Sequence, residues 1–582
     1  MRELYRHEDY IPCSNLAPLS YIVKENNGHT VILKINRSLT SQYTLFKVHC
    51  CYSKVTRLVT LKRPDDSISF SKCIPFEDSV EIVDPIIKVT CKDSFSFEIY
   101  SNVHASISPI HIPYSDIKTS KMTAKVKTTF SILFIGMDSM SKLNLIRTMP
   151  KTFNFLEKNS INLKGYTKVG LNTLPNLMGI LTGLTIDQLK KWCDYQNKIN
   201  DCPNIWNQFK EMGYITAYGE DSSDIGSFNY AKKGFSKPPT DFYFRPYFLA
   251  SETLKIIQRE RMYYCTGPET EGERIMNLVK DFQITLKNYS KFALFWMNSF
   301  THDDLNIPSA MDEKMENFLI DIYKHLDNTI LFFFSDHGFR FNDITKRQTG
   351  WLEEKMPIFY VSFPDSFKKI HPKAYYNFQI NSGRLTSSYD IYMTLQNILR
   401  LADRSYSLKK SLACAKCHSL FRKVSERRSC QDAGISKDYC VCNITQTYEE
   451  PQEITKEPAK FLLDEINKLV RSYRQRYKCH VYKLDRITLF EKCDFKNEYK
   501  QTRTNLLLRI QTQPKAVFEA LLEIVPNKHN SSDFRLLGDI IRMNRYSMYS
   551  SCIQDSSLEK YCYCKEQKPK TISDKIKEFL FD

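Results

Sequence analysis

Between residues 126 and 402, long apolar runs alternate with stretches whose apolar residues recur every three or four positions. The run TFSILFIGM at 129–137 is almost continuously apolar, which is typical of a central parallel strand buried on both faces. Similar runs at 291–297 and 329–334 each follow an amphipathic stretch. This alternation predicts an α/β core with a mostly parallel sheet between helices over residues 126–402.

The alternation stops towards both ends of the chain. Residues 20 to about 125 consist of short β-like runs separated by turn residues, so we predict a β-rich N-terminal domain over 1–125. Beyond Leu401 the composition shifts to Lys, Arg, Cys and Tyr, and we predict a Cys-rich α+β C-terminal subdomain over 403–582. Within that subdomain we predict a helix over 458–477, strands near 479–495 and 505–510, and a second helix over 515–525.

The composition indicates folded domains rather than a low-complexity chain. Hydrophobic residues make up 42% and charged residues 26% of the 582 residues, which excludes disordered and collagen-like classes. The charge balance is 83 − 66 = +17. Lys and Arg are scattered, with no basic stripe, zinc finger or aromatic RNA motif. We therefore expect a generally basic surface that attracts anionic, phosphate-containing substrates, and no specific binding of nucleic acid.

The cysteines and sequons indicate an oxidising compartment. Ten of the 18 Cys lie between residues 414 and 564, and two of the three close pairs there have C-x-C spacing, which suits a zinc knuckle poorly. We therefore favour a disulfide framework over zinc. Four N-x-S/T sequons predict glycosylation, and they begin at Asn36, Asn288, Asn443 and Asn530. We expect a secreted protein of the extracellular space or the secretory lumen.

The start of the chain does not show how the protein would reach that compartment. The residues after Met1 contain no apolar signal core, and no run approaches the roughly 18 apolar residues of a membrane span. We expect that the natural protein continues upstream with a signal or a membrane anchor, through which it would associate with a membrane. The alternative is an intracellular protein with reduced cysteines.

Polar residues follow the apolar runs of the core. One run ends in Asp138-Ser139, another is followed by His302-Asp303-Asp304, and a third ends in Asp336-His337. Ligands of open α/β sheets bind at the carboxyl ends of the strands, and these residue types are ligands for a divalent metal. Thr173 opens a predicted helix, where an anion would be stabilised. Singly, Asp138 is equally well a turn former and Thr173 a helix cap; their combination favours a site.

The order of these motifs resembles the alkaline phosphatase/sulfatase superfamily, which includes nucleotide pyrophosphatase/phosphodiesterases and lipoteichoic acid synthases. The segments FIGMDSMSKLNLIRTMPKTFNFL, LKGYTKVGLNTLPNLMGILTG, FFFSDHGFRF and TGWLEEKMPIF resemble more specifically the family known as domain of unknown function 229. The Cys-rich segments FRKVSERRSCQDAGISKDYCVC and IIRMNRYSMYSSCIQDSSLEKYCYC are similar to the tail of that family. The likeness covers about residues 80 to 570.

The resemblance implies a metal site and a nucleophile. The implied metal ligands are Asp138, Thr173, Asp336 and His337, with Thr173 also the nucleophile and Asn172 a donor to the substrate oxygens. Sulfatases carry Cys and Arg where this chain has Thr173 and Leu177. This departure favours phosphoryl transfer through a phosphothreonine over sulfuric ester hydrolysis.

A second metal site is less well matched. No His lies four residues from the Asp of T-H-D-D at 301–304, so the pattern is closer to the single-metal lipoteichoic acid synthases. We assign His302 to the substrate or to a second metal. Asp304 and the pair Glu220-Asp221 are candidates for the second metal or for the pocket wall, with a solvated turn as the alternative.

Three functional hypotheses follow. The first is a metal-dependent hydrolase or transferase of phosphate esters or diesters that acts through Thr173, with Zn or Mn, or else Mg or Ca, at one site. The second is a secreted binding or structural protein that keeps the fold without activity. The third is a sulfuric ester hydrolase. The sequence does not predict the oligomeric state.

Overall fold

The chain forms two compact units. The first contains residues 1–339 and 353–435, and the second contains residues 340–352 and 436–582. The structure is a computed structural model, and it describes residues 4–61, 63–112, 129–341, 344, 348–441, 445–448, 456–473, 476–496, 502–526, 532–537, 539–544, 546, 549–553 and 556–566. The three-part division at 125/126 and 402/403 stays a prediction.

The N-terminal part of the first unit is built of antiparallel strands, as predicted. One sheet has the order Ser20–Glu25, Thr30–Ile35, Ser79–Glu81. In a second sheet His49–Leu58 pairs with Ile86–Lys92, and the outer members are Ser67–Phe70, Ile74–Phe76 and Glu98–Ala105. Alternate residues of Thr30–Ile35 are buried, so each strand covers the core with one face only.

A seven-stranded sheet forms the centre of the first unit. Its strand order is Ile161–Asn162, Phe359–Ser362, Thr329–Phe334, Ser131–Met137, Lys291–Met297, Ile215–Glu220, Phe242–Tyr243. Every pair is parallel except the two made by Phe359–Ser362. The predicted mostly parallel α/β sheet is confirmed.

Helices cover both faces of this sheet. Ile132 and Phe134 face one core cluster, whereas Leu133 and Ile135 face the other, which explains the unbroken apolar run. The helices on the first face are Thr173–Thr182, Ile186–Trp192, Ile205–Glu211, Asp365–Ile370, Pro372–Asn381 and Ser388–Ala402. Those on the second face are Lys142–Thr148, Pro150–Asn159, Arg245–Ser251, Glu271–Thr285 and Asp312–Tyr323.

Smaller elements complete the first unit. Gly165–Tyr166 pairs in parallel with Leu385–Thr386, and a three-stranded sheet contains Ile256–Arg259, Met262–Thr266 and Glu269–Thr270. The remaining helices are Thr40–Tyr43 and Gln348–Lys355. Short 3-10 helices are Asn26–Gly28, Arg37–Leu39, Pro109–His111, Ile199–Asp201, Ser223–Ile225, Ile307–Met311 and Gln431–Ala433.

The second unit is an antiparallel sheet with one long helix. The strand order is Thr445–Tyr448, Lys483–Lys496, Thr502–Gln513, Ala516–Pro526, Ser532–Leu536, and Ile541–Arg542 also pairs with Ala516–Pro526. The helices are Lys456–Ser472, the 3-10 turn Arg476–Lys478 and Ser556–Glu559. The helix predicted over 458–477 and the predicted strands are therefore present.

The helix predicted over 515–525 is wrong, because these residues form the strand Ala516–Pro526. Phe518, Ala520 and Leu522 alternate towards the core beneath the long helix, while Glu519 between them pairs with Arg509 of the next strand. An alternating pattern with two glutamates also satisfies helical spacing. Pairing with Thr502–Gln513 over eight residue pairs decided between the two.

Disulfides confirm the preference for a cystine framework over zinc. The bonds are Cys13–Cys265, Cys50–Cys91, Cys51–Cys73, Cys193–Cys202, Cys414–Cys417, Cys479–Cys562 and Cys552–Cys564. Cys430 and Cys440 are disulfide-bonded as well. Because Cys562 and Cys564 bond to different partners, their C-x-C spacing serves two crosslinks rather than one metal.

Of the four sequons, two lie within the described residues. Asn288 is exposed, and Asn36 is partly exposed with its side chain accepting from the backbone N–H of Ser38. Asn443 and Asn530 lie outside the described residues, and glycosylation at all four stays a prediction. No helix in the described ranges has the length and apolar character needed to cross a membrane.

Candidate active site

Four neighbouring parallel strands end at the same edge of the central sheet. Ser131–Met137 is followed by Asp138, Thr329–Phe334 by Ser335-Asp336-His337, Lys291–Met297 by Asn298, and Ile215–Glu220 by Asp221. Gly136 leaves room for the Trp296 side chain of the neighbouring strand, because a Cβ at residue 136 would lie 1.9 Å from the Trp296 ring. The polar residues that follow the apolar runs are thereby gathered into one region, as the sequence predicts for parallel strands.

Asp138, Asp336 and His337 form a compact buried cluster. One ligand atom from each lies within 4.8 Å of the other two, and all three side chains are buried. The ends of the two strands are tied together, since Ser139 donates its backbone N–H to Asp336 Oδ1 at 3.3 Å and Met140 donates to Ser335 Oγ at 2.9 Å. Ser139 adopts φ of 60°, a left-handed conformation that is uncommon for a residue with a side chain.

The hydrogen bonds of the cluster suit a cation. His337 Nδ1 lies 2.9 Å from the carbonyl oxygen of Gly338, an arrangement that places the proton on Nδ1 and the lone pair on Nε2. Nε2 then lies 3.2 Å from Asp336 Oδ2, an oxygen that accepts no hydrogen bond from any described residue. Two ligands of a tetrahedral zinc ion lie about 3.3 Å apart. The residues present therefore fit a divalent metal.

Burial makes the carboxyl group of Asp336 costly to ionise without a cation. Its pKa is raised by desolvation, and hydrogen bonds from the backbone N–H groups of His337 and Ser139 oppose that rise. A bound divalent ion would reverse the balance in favour of the carboxylate.

Thr173 lies at the first turn of the helix Thr173–Thr182, beside the cluster. Its hydroxyl donates to Asp138 Oδ2 at 3.0 Å, and its side chain is partly exposed whereas the cluster is buried. The helix ends at Gly183, whose φ of 68° is the left-handed conformation that commonly terminates helices. The structure thus brings together Thr173 and the three other residues predicted for the first metal site.

Asn172 precedes the helix in an extended conformation, and its side chain makes no capping hydrogen bond. The side chain is exposed, next to Thr173. A role as a donor to substrate oxygens stays a prediction.

Asn176 holds the loop that carries Thr173, and sequence reasoning did not select it. It is buried, its Oδ1 accepts from the N–H groups of Val169 and Gly170, and its Nδ2 donates to the carbonyls of Gly170 and Asn172 at 3.0 and 2.9 Å. All the hydrogen-bonding capacity of its amide is directed at this loop. The available signal was a polar residue one turn into an otherwise apolar helix.

A buried ion pair supports the same loop. Lys168, whose side chain is fully buried, pairs with Glu354 and donates to the carbonyl of Leu171 at 3.4 Å. The segment around Glu354 also packs on the Asp336-His337 turn, because a Cβ at Gly338 would lie 2.2 Å from the carbonyl oxygen of Glu353. Residues from TGWLEEKMPIF therefore stabilise both halves of the site.

The segment after Lys291–Met297 contains a second acid–imidazole pair. Asp303 is buried, accepts from His302 Nδ1 at 2.8 Å and forms an ion pair with Arg261 at 3.1 Å. Asp304 instead accepts from the backbone N–H groups of Asn306 and Ile307 at 2.6 and 3.2 Å, which is the turn alternative considered for it. Sequence reasoning missed Asp303, because three adjacent polar residues give no indication of which one is buried.

Glu220 and Asp221 are buried and hold the neighbouring backbone. Asp221 accepts from the N–H of Asn298 at 2.5 Å, and Glu220 accepts from Asn298 Nδ2 at 3.1 Å and from the hydroxyl of Tyr218. Burial raises the pKa of Asp221 to about 7 and also raises the pKa of Glu220. Among the described residues, the acidic and imidazole groups close enough to form a three-ligand cluster are only those of Asp138, Asp336 and His337.

The family model described as protein of unknown function (DUF229) matches residues 6–488. The chain belongs to the DUF229 family. The resemblance found in the sequence motifs is confirmed, and the family description assigns no activity. No curated protein matches the chain.

The DUF229 chain is also similar to solved structures. A protein in the alkaline phosphatase superfamily from Vibrio parahaemolyticus has 11% identity and a TM-score of 0.37, covering 75% of this chain and 85% of its own. The lipoteichoic acid synthase LtaP from Listeria monocytogenes has 11% identity and a TM-score of 0.34, covering 68% of this chain and 92% of its own. The C-terminal periplasmic domain of EcEptC from Escherichia coli has 12% identity and a TM-score of 0.35, covering 52% of this chain and 88% of its own. Similarities of this size transfer no reaction or substrate.

Proposed function

We propose that this DUF229 protein is a metal-dependent hydrolase or transferase of phosphate esters or diesters, with Thr173 as the nucleophile. The observation that supports the proposal is the hydrogen bond of 3.0 Å from the Thr173 hydroxyl to Asp138, beside the buried Asp336 and His337. A partly exposed hydroxyl next to three buried metal-ligand groups is an arrangement for activating that hydroxyl.

The proposed reaction needs few groups. The Thr173 Oγ bonds to phosphorus, the bond from phosphorus to the leaving oxygen breaks, and the hydroxyl proton follows its existing hydrogen bond towards Asp138. Water then takes the phosphoryl group from Thr173 in hydrolysis, and a second hydroxyl takes it in transfer. A divalent metal held by Asp138, Asp336 and His337 supplies positive charge that favours the ionised hydroxyl and the charge on the phosphoryl oxygens.

The loop geometry supports the role of Thr173. Asn176 and the Lys168–Glu354 pair hold residues 169–172 in place. Thr173 therefore lies between a fixed loop and the N-terminal end of a helix. Such bracing keeps a reacting oxygen in a productive position and avoids the entropy cost of ordering it. The N-terminal end of the helix also favours the negative charge of a phosphoryl group.

The direct test uses purified full chain loaded with Mn²⁺ or Zn²⁺ and bis-p-nitrophenyl phosphate as substrate. We expect Thr173→Ala to lower the rate by about 10³-fold or more, because the nucleophile is lost. Thr173→Ser is the matched variant and should retain measurable turnover. Acid quenching followed by mass spectrometry should find a p-nitrophenyl phosphoryl group on Thr173 in the wild type.

Three outcomes would reject the proposal. Unchanged hydrolysis by Thr173→Ala would exclude the nucleophile, and a wild type that binds metal without turning over any phosphodiester would favour a binding protein that keeps the fold. Hydrolysis of p-nitrophenyl sulfate in preference to the phosphate ester would favour a sulfuric ester hydrolase.

We also propose that the protein works outside the reducing cytosol. Crosslinks such as Cys13–Cys265 and Cys479–Cys562 persist in oxidising compartments. Mass spectrometry of the natural protein tests this proposal, because it detects the cystines and any glycans at Asn36 and Asn288.

A further inference from the structure

A basic surface on the first unit is independent of the proposed active site. The segment 403–427 carries seven Lys and Arg against two acids, so 25 residues contribute 7 − 2 = +5 of the chain's +17. The sequence shows scattered cations; the fold arranges these along one helix.

The segment runs back along the helix Ser388–Ala402. Lys409 donates its backbone N–H to Gln396 at 2.9 Å, Ser411 donates to Met393 at 3.3 Å, and His418 donates to Asp390 at 3.4 Å. These contacts follow the helix from its C-terminal half to its first turn. A helix of 15 residues is roughly 22 Å long, so the segment forms a surface of about that length.

The inner side of the segment is anchored, and the outer side is cationic. Cys414, Cys417 and Leu420 are buried in the core cluster, and the first two are joined by a disulfide. The exposed basic side chains on or directly before the segment are Arg400, Arg404, Lys409, Lys410, Lys416, Arg422, Lys423 and Arg427. Lys416 pairs with Asp432, and we call the other seven the basic stripe. Since the buried side chains occupy the inner side, the exposed cations of 403–427 lie on the outer side.

The acids of the segment do not neutralise the stripe. Asp403 accepts from the backbone N–H and the hydroxyl of Ser405 at 2.8 and 2.7 Å, and Glu426 pairs with Arg384 outside the segment. Within the described part of the chain, no member of the basic stripe forms an ion pair. A row of uncompensated cations on a rigid support is stable only because water and counterions solvate it, and a polyanion would release those counterions.

We propose that the basic stripe binds a linear polysaccharide that bears sulfate groups. Its length suits a polymer rather than a single small anion, and its arginines can hold sulfate groups with two parallel hydrogen bonds. The segment offers no platform for nucleic acid bases, since Phe421 is buried and the hydroxyl of Tyr406 is bound by Gln208 and Gln396. It also offers a bilayer only one strongly exposed apolar side chain, Leu412.

The test measures binding of the full chain to immobilised heparin across a salt series. Two double variants each reverse two charges of the stripe. The first combines Lys409→Glu with Lys410→Glu, and the second combines Arg422→Glu with Lys423→Glu. The matched control reverses the exposed Lys158 and Lys255, which lie elsewhere on the first unit, and gives the same net charge of 17 − 4 = +13. Thermal melting checks folding, and Gln variants at the same positions replace any reversal that does not fold.

We expect heparin affinity near physiological salt to fall by about tenfold or more in each stripe variant and by less than about twofold in the control. Thr173→Ala should bind heparin like the wild type, which separates this proposal from the proposed reaction. Equal losses in control and stripe variants would show that the overall charge is responsible and would overturn the proposal. So would absence of binding by the wild type, or stripe-dependent binding to phosphatidylserine vesicles or duplex DNA that is tighter than binding to heparin.

Discussion

The two strands that flank Ser131–Met137 are each followed by an Asp and a His in adjacent positions, and the two segments compensate the buried carboxylate differently. At Asp336-His337 the imidazole Nδ1 is directed to a backbone carbonyl, and the described protein offers Asp336 Oδ2 no hydrogen-bond donor. At His302-Asp303 the imidazole Nδ1 and the guanidinium of Arg261 both contact the carboxylate. The first pair has room for a cation from outside, whereas the second already has one from the protein.

A third buried carboxyl group shows the remaining solution. Glu271 accepts from the Ser251 hydroxyl at 2.9 Å, and its other oxygen has no hydrogen-bond donor among the described residues. Burial raises its pKa to about 8, with the charge of Arg274 opposing the rise. A bound proton therefore neutralises Glu271. A metal would compensate the charge of Asp336, and the guanidinium of Arg261 compensates that of Asp303. The same residue type thus has different chemistry according to its nearest cation.

The largest effect is expected from removing the carboxylate of Asp336, which would hold the metal. Asp336→Asn should weaken Zn²⁺ or Mn²⁺ binding by about 100-fold or more, so the roughly 2.7 kcal/mol of stabilisation that the wild type gains at 100 times its Kd should fall to about 0.4 kcal/mol or less. Without metal the variant should melt no lower than the wild type, because a costly buried carboxylate has been removed. Thermal shift assays with and without metal measure both effects.

Asp304→Asn is the matched control for that experiment. Asn keeps an oxygen that can accept from Asn306 and Ile307, so metal-induced stabilisation should be that of the wild type. Equal loss in both variants would mean that the metal does not bind at the Asp336 cluster.

The next effect concerns the proton at Glu271. The pKa of this group is about 8 in the folded state and near 4.5 unfolded, so the folded state holds the proton more tightly. The resulting stability is full below about pH 4.5 and is lost as the pH rises to about 8. Glu271→Gln should therefore gain about 2 kcal/mol on the wild type between pH 6 and pH 8, measured by urea unfolding.

The exposed Glu98 provides the control for this pH series, since Glu98→Gln should follow the wild-type curve at every pH. A constant difference between Glu271→Gln and the wild type from pH 5 to pH 8 would show that Glu271 is already ionised at pH 5.

The smallest effect concerns the guanidinium. Arg261→Met should lower the free energy of unfolding by about 1–2 kcal/mol, because it leaves Asp303 buried with fewer partners, while the partial exposure of Arg261 limits the loss. Adding Asp303→Asn should restore part of that stability, as no carboxylate would remain to be compensated. Denaturant unfolding of the two single variants and the double variant measures the coupling. Strictly additive losses would show that Arg261 does not compensate Asp303.

Much of the core and of the first metal site could be predicted from the sequence. Residues 129–137 and 329–334 had to be buried strands, because an apolar run of that length cannot be left in water. Their carboxyl ends then had to meet, which brought Asp138 and Asp336 together. The strand Ala516–Pro526 could not be predicted, because its pattern also fits a helix and only its partner strand decided between them.

The sequence by itself determined which residue types stand at the ends of the strands, and therefore that carboxylates, an imidazole and the Thr173 hydroxyl share one edge. Only the tertiary structure decided how each charge is compensated. Asp303 is separated from Arg261 by 42 residues, Asn176 turns back on residues 169–172, and the stripe cations line up only because their segment folds back on a helix. Electrostatic compensation depends on distances of a few ångströms between residues that are far apart in the chain, and local sequence patterns carry no information on those distances.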